Sequence, residues 1–393
     1  MIHTLNPRLT PGDLSYIATD AEDRVIVVDE SLCDILGSID RQFEHVIVVP
    51  RSGRIATPEI DYEALVASAA PIEWPPLDER RAAAICHTSG TTGRPKGVVY
   101  SHRALVLHSL VAAMPDVHGI SSRDVILPVV PMFHANAWGL PYTAALAGAA
   151  LVLPGPRLDP HSILDLLEAE RVTFTAGVPT VWRSVLDALD AEPGRWDLSA
   201  LQRVSLGGSA ATTGLLQGLD RHGLKAVQGW GMTETSPVGA MCLLPPELDA
   251  AAPTEQCEYR ARQGVPIPFV ELRARGEDGG LVPWDDVTMG ELEVRGPWVA
   301  AGYHGGVGAD RFTDDGWLRT GDIVRIDRRG CIRICDRAKD LVKSGGEWIS
   351  SVDLENQLMD HRSVAEAAVV AIPDERWGER PLAAVVLREG LHA

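Results

Sequence analysis

A chain of 393 residues, 45% hydrophobic and 23% charged, has the composition of a soluble globular protein. It is long enough to bury a large core and divide into two or more domains. A formal net charge of −18 argues against a general nucleic-acid or anionic-membrane surface, since both need basic patches. A small anionic ligand stays admissible, because backbone N–H groups hold phosphate whatever the global charge.

The six cysteines, Cys33, Cys86, Cys242, Cys257, Cys331 and Cys335, form no CxxC pair. No second ligand pair stands at zinc-like spacing from Cys331 and Cys335, so they read as reduced thiols in a cytoplasmic setting. Residues 1–8 carry no signal-peptide pattern. No segment approaches about 18 uninterrupted apolar residues, so no membrane span is expected.

In chain order, a helix is expected over 10–21, with Pro11 near its start. The runs 25–29 and 45–50 read as strands of a parallel sheet covered on both faces. A helix over 61–70 precedes a break at Trp74-Pro-Pro76. Ala83–Thr88 reads as a strand entering a Gly-rich loop, and 102–113 as a helix. Strands follow at 124–130, 149–154, 172–176, 204–206 and 226–228, with helices near 160–170 and 179–190. This alternation predicts an α/β fold of layered, mostly parallel sheets.

Beyond about residue 259 the segments 270–274, 290–295 and 331–335 alternate apolar and polar residues, which predicts a small antiparallel β-barrel. From Lys339 a glycine pair, a helix near 351–359 and a strand at 367–372 form a partial small α+β domain. The division expected is a large domain, 1–336, and a smaller C-terminal unit, 337–393.

Thr88-Ser-Gly-Thr-Thr-Gly-Arg-Pro-Lys-Gly97 concentrates hydroxyls, glycines and two cations between an apolar strand and a helix. Glycines let the backbone approach an anion, while hydroxyls, backbone N–H groups, Arg94 and Lys96 supply donors and charge. The spacing of a Walker A loop is absent. A flexible linker would need neither the flanking elements nor a lysine between Pro and Gly.

This segment resembles the phosphate-binding signature of the acyl-adenylate-forming superfamily, which includes acyl-CoA synthetases, luciferases and peptide-synthetase adenylation domains. Thr88, Ser89, Gly90, Thr91, Thr92, Gly93 and Lys96 match it. Further motifs follow in the family's order. Gly229-Trp-Gly-Met-Thr-Glu-Thr235 resembles the second signature, which implies that Gly229, Trp230, Gly231 and Met232 line the nucleotide. It also implies that Thr233 contacts phosphate and Glu234 binds Mg²⁺. Taken alone, Glu234 would read as a surface or capping residue.

Gly207-Gly208-Ser209 resembles the loop between adenine and acyl chain, with Gly207 also on the substrate side. Trp317-Leu-Arg-Thr-Gly-Asp322 resembles the third signature, whose Asp accepts the ribose hydroxyls. Asp336–Glu347 resembles the interdomain hinge. The match gives Arg337 to ribose and phosphate and Lys339 to the pivot between half-reactions. It gives Lys343, Gly345 and Gly346 to the surface facing CoA.

Pro131-Met-Phe-His-Ala-Asn-Ala-Trp-Gly-Leu-Pro141 is most similar to medium- and long-chain fatty-acyl-CoA synthetases, as are His3–Arg8 and Lys343–Ser350. The resemblance puts His134 near the reacting carboxylate, and Trp138 and Gly139 around the acyl pocket. It implies ATP-dependent conversion of a fatty acid to acyl-AMP and transfer to CoA, with Mg²⁺ and with room for a homodimer. Two departures follow. In the family a substantial segment precedes the motif that here starts at His3, and a catalytic lysine near the C-terminus follows the hinge, whereas no lysine follows Lys343. Truncation at both ends is therefore expected. Loss of one aligned donor to a charged transition state costs roughly 2.7–4 kcal/mol, so weak adenylation is expected too. The rival readings are an acyl-AMP ligase loading a carrier-protein thiol, and an impaired nucleotide- or acyl-binding protein.

Overall fold

The computed structural model describes residues 1–51, 60–88, 93–345, 347–359, 361 and 363–387. At its centre is a seven-stranded sheet in the order Val265–Pro266, Val238–Cys242, Ala226–Gly231, Arg203–Leu206, Phe174–Gly177, Val125–Pro128, Ala150–Leu151. The last five strands in that order run parallel, and Val238–Cys242 and Val265–Pro266 add antiparallel pairings. The parallel part follows from sequence: apolar β-branched runs alternate with helices whose apolar positions recur at helical spacing. Pro179–Ala191 buries Trp182, Val185, Leu186 and Leu189 on one stripe, against Leu164, Leu167 and Leu216 of neighbouring helices.

Helix starts are set by local capping. Thr10, Ser101, Asp159 and Thr212 accept the backbone N–H of Asp13, Ala104, Ser162 and Leu215. Each satisfies a donor that the first helical turn leaves open.

Three expectations change. Residues 97–101 form a strand, Gly97–Ser101, antiparallel to Ala82–His87. The loop after Thr88 therefore closes a hairpin and does not run from a strand into a helix. Val98, Val99 and Tyr100 are β-formers, and the helix starts only at His102, behind its Ser101 cap. The sheet of Val25–Asp29, His45–Val49 and Ile60–Asp61 is parallel as expected. It is not covered on both faces, since Val25 and Val27 are 48% and 58% exposed. The expected barrel is, in its pairing, a four-stranded antiparallel sheet, Glu271–Arg275, Gly290–Arg295, Leu318–Ile326 and Ile332–Arg337. Its two outer strands do not pair with each other.

The C-terminal unit is α+β. Val342–Ser344 and Glu347–Ile349 form a hairpin beside the long hairpin Val364–Asp374 and Gly378–Leu387. Helix Ser351–Met359 packs between this sheet and Ile332–Arg337. Asp336 Oδ2 accepts the Ser351 N–H at 2.6 Å, and Asp353 stands 3.2 Å from Arg333, so carboxylates tie the helix start to the antiparallel sheet.

Candidate active site

A cavity of about 410 Å³ opens at the C-terminal ends of the parallel strands. Ligands commonly bind there in open α/β sheets. Its walls join His134 and Trp138 to Gly207, Gly208, Gly229, Trp230, Gly231, Met232 and Thr233, motifs far apart in sequence. Arg8 also lines it. Burial first, and then the Arg8 charge, lower the His134 pKa, so the imidazole is neutral near pH 7 beside a fixed cation.

Trp138 reaches the cavity by an unusual backbone. Ala135, Asn136, Ala137, Trp138 and Gly139 have φ of 41°, 50°, 53°, 55° and 71°, a complete left-handed turn. The left-handed helical conformation costs L-residues roughly 1–2 kcal/mol each. The N-terminal motif holds the turn in place: Thr4 Oγ1 donates to Met132 O at 2.9 Å and accepts from Asn136 Nδ2 at 3.2 Å. The turn sets the Trp138 ring against Gly207, where an added Cβ would lie 3.1 Å from Cη2. Gly139 does not line the cavity. It packs on His108, with an ideal Cβ 2.9 Å from Cε1. Ser209 is exposed and also lies off the lining, because the chain turns outward at Gly208, φ 80°.

Behind the cavity wall Trp230 Nε1 donates to buried Asp322 Oδ2 at 2.9 Å. Arg337 Nη1 lies 2.9 Å from Oδ1, yet not in line to donate, so Oδ1 is a buried acceptor without a hydrogen bond. Burial raises the Asp322 pKa, while Arg337 and the Trp230 N–H pull it down. The motif Thr320-Gly-Asp322 is extended backbone on either side of one left-handed residue. It lies inside a nine-residue strand, with Gly321 at φ 76°.

Ser89, Gly90, Thr91 and Thr92 lie outside the described residues. The base of their loop is closed by Thr88 N–H to Lys96 O at 3.0 Å and Lys96 N–H to Thr88 Oγ1 at 3.1 Å. Gly93 takes φ 140°. The Lys96 ammonium stands 5.0 Å over the Tyr303 ring, whose hydroxyl donates to Glu234 Oε1. Burial and Glu234 raise the Tyr303 pKa, so it stays a donor. Tyr100 Oη donates to Thr233 O at 2.7 Å. Sequence reasoning missed Tyr100, Tyr303 and Arg8. The alternation of 97–101 was a signal for Tyr100, while Tyr303 meets Glu234 only through the fold.

Lys339 is exposed, its Nζ 4.0 Å from Asp340. Lys343 Nζ stands 3.5 Å from Glu277, in the turn after Glu271–Arg275. Gly345, φ 62°, is held against Trp377, where a Cβ would lie 2.7 Å from Cε3. Gly346 lies outside the described residues. The structure thus brings Trp138, Gly207, Trp230, Thr233, Asp322 and Arg337 together, and leaves Lys339, Lys343 and Gly345 on the C-terminal unit.

Comparison with known proteins agrees with this arrangement. The chain is 50% identical to a long-chain-fatty-acid–CoA ligase of Thermus thermophilus, an alignment spanning 99% of the chain and 72% of the ligase. It is 43% identical to a medium-chain-fatty-acid–CoA ligase of Ectopseudomonas oleovorans, over 97% and 71%. The crystal structure of ATP-bound MatB from Rhodopseudomonas palustris superposes with a TM-score of 0.81 at 28% identity, covering 99% of this chain and 74% of that one. The AMP-binding enzyme family model matches residues 1–304, and the model of that family's C-terminal domain matches 353–393. With family motifs, fold and relatives in agreement, the chain belongs to the AMP-binding enzyme family.

Proposed function

We propose that this protein is a fatty-acid–CoA ligase that activates a medium- or long-chain acid as acyl-AMP and passes the acyl group to CoA. The observation that carries this reading is the largely apolar cavity whose walls bring Trp138, Gly207, Trp230 and Thr233 together, with Trp230 bonded to the buried Asp322 carboxylate. Each buried methylene of an acyl chain would contribute roughly 0.8 kcal/mol.

In this reading Arg8 and neutral His134 hold the carboxylate, and Thr88 and Lys96 bound the phosphate loop together with Ser89 to Gly93. Gly207, Gly208, Gly229, Gly231 and Met232 shape the adenylate site. A carboxylate oxygen attacks the α-phosphorus, the bond to the bridging oxygen breaks, and pyrophosphate leaves with its electron pair. Positioning and charge neutralisation supply most of the rate. In the second step the CoA thiolate attacks the acyl carbonyl and AMP departs. The C-terminal unit, from Arg337 onward, pivots at Lys339 to present Lys343 and Gly345.

Among the described residues no group of three or more His, Cys, Asp and Glu is placed to hold a metal. Glu234 offers one buried carboxylate, which fits Mg²⁺ arriving on nucleotide phosphates, since that ion takes one or two carboxylates and keeps phosphate and water ligands. When bound, it neutralises phosphate charge. Free cysteines, five of them buried, support a cytoplasmic setting, and the reading accommodates a homodimer.

The test is acid-dependent pyrophosphate release from Mg·ATP, followed by thioester formation with CoA. Release and a CoA thioester are expected. A folded protein that releases no pyrophosphate with any straight-chain acid overturns the reading. Transfer only to a carrier-protein thiol replaces the second step.

A further inference from the structure

Two opposite charges assigned to the nucleotide, Lys96 and Glu234, meet on one neutral side chain. Tyr303 comes 69 residues after Glu234 and belongs to none of the motifs that pointed to the site. Its hydroxyl donates to Glu234 Oε1, and the Lys96 ammonium stands 5.0 Å from the centroid of its ring. Both contacts suit their partners: an ionised acceptor strengthens a hydrogen bond, and the face of an aromatic ring attracts a cation. Among the described residues neither Lys96 nor Glu234 makes an ion pair.

The phenol is fixed by its packing. It is 7% exposed, in a core shared with Ala84, Cys86, Val98 and Tyr100 of the hairpin that carries the phosphate loop. Phe312 meets its ring edge-on, with centroids 5.7 Å apart. Gly308, φ 67°, comes close to both partners: an added Cβ would lie 3.0 Å from Lys96 Nζ and 3.1 Å from Tyr303 Cε2. The ammonium is therefore held where Gly308 meets the Tyr303 ring.

The backbone around Glu234 is secured without this hydroxyl. Tyr100 Oη donates to Thr233 O at 2.7 Å, the Ala300 N–H to Glu234 O at 2.8 Å, and Ser236 Oγ to Trp298 O at 2.7 Å. These three bonds place the turn Thr233–Thr235 and leave the direction of the Glu234 carboxylate to be decided. Without the Tyr303 hydroxyl, that carboxylate and the Lys96 ammonium are opposite charges in a partly dehydrated site, where Coulomb attraction is several-fold stronger than in water. Paired with each other, they would be withdrawn from a ligand.

We propose that Tyr303 is a positioning residue for Mg·ATP: its hydroxyl holds the Glu234 carboxylate and its ring holds the Lys96 ammonium, so that the two charges stay apart and each remains available, Glu234 to the metal and Lys96 to phosphate. The proposal rests on the reading of this site as the nucleotide site.

The experiment is calorimetric titration of the full chain with ATP, in EDTA and in excess Mg²⁺, without acid or CoA. The proteins are wild type, Tyr303→Phe, Glu234→Gln and the double variant. The readout is the ratio of the Kd in EDTA to the Kd in excess Mg²⁺, which does not depend on turnover. Phenylalanine fills the same space and the three backbone bonds remain, so Tyr303→Phe keeps the fold. It should lower the ratio on the order of tenfold. A purely structural role would weaken both Kd values alike and leave the ratio unchanged. In the Glu234→Gln background the same change should move the ratio by less than about twofold, because Tyr303 then has no carboxylate to hold. An unchanged ratio in Tyr303→Phe, or an equal fall in the Glu234→Gln background, overturns the proposal and leaves the nucleotide reading standing. Folded wild type that binds no ATP, or binds it equally in EDTA and Mg²⁺, overturns the reading of the site and the proposal with it.

Discussion

The indole Nε1 of Trp230 donates to Asp322 Oδ2 across 2.9 Å, joining residues 92 positions apart and two different sheets. Trp230 lies on the strand Ala226–Gly231, yet its side chain belongs to the core of the antiparallel unit with Leu292, Val294 and Val324. The contact orients a buried carboxylate whose second oxygen stands 2.9 Å from Arg337 Nη1.

Trp230→Phe keeps the apolar packing and removes this donor. A hydrogen bond to a charged group is worth roughly 1.5–3 kcal/mol. Urea unfolding should show a lower midpoint at unchanged m, and ATP titration about a tenfold weaker Kd. Unchanged values in both would mean that the bond does not orient Asp322.

Gly207→Ala tests the Trp138 contact. Gly207 is not at positive φ, so alanine suits its backbone, but the new methyl would meet Cη2 at 3.1 Å. Overpacking of this kind costs roughly 1–3 kcal/mol. The expected result is a raised KM for the acid, about tenfold, with the KM for ATP little changed. An equal rise in both would place the effect at the nucleotide.

Lys343→Ala separates the two half-reactions. Its ion pair with Glu277 joins two exposed side chains, and such pairs contribute little to stability. Tm should not move. Acid-dependent pyrophosphate release should persist while the rate of CoA thioester formation falls about tenfold or more, in the range of lost transition-state contacts. Loss of both rates together would remove Lys343 from the CoA side.

Stability should fall with acidification below neutral pH. Burial lowers the His108 pKa to about 3 and the His118 pKa to about 4, against about 6.5 in the unfolded chain. Below that unfolded value the unfolded state binds protons that the folded state refuses. The stability is therefore fully present above about pH 6.5 and is lost as pH falls toward the folded values. Each imidazole contributes up to about 1.4 kcal/mol per pH unit in that window. His108 Nε2 accepts the Val238 N–H at 3.3 Å, a bond that protonation would abolish. Urea titrations between pH 7 and 5 measure the slope, and His108→Leu should reduce it.

Local pattern and motif order in the sequence were enough for the family and the α/β layering. The helix Pro179–Ala191 and the strands at 174–177 and 203–206 are written in apolar spacing and caps, which depend on near neighbours only. Thr233, Trp230 and Asp322 were legible because they sit within contiguous motifs.

Other features were not legible, because they arise from contacts between distant segments. The left-handed turn of 135–139 runs against the preference of Ala, Asn and Trp, and it is imposed by Thr4 from another part of the chain. The expected helix at 102–113 is present, but a strand, Gly97–Ser101, intervenes between it and the phosphate loop because it finds Ala82–His87 to pair with. Tyr303 reaches Glu234 and Arg8 reaches the cavity, both through tertiary packing. Sequence by itself determined the elements and the reactive residue types, because backbone propensity and amphipathic spacing are short-range. Only the tertiary structure decided which buried polar atoms find partners, as Trp230 Nε1 does on Asp322 Oδ2, because that depends on which distant side chains the fold brings within hydrogen-bond range.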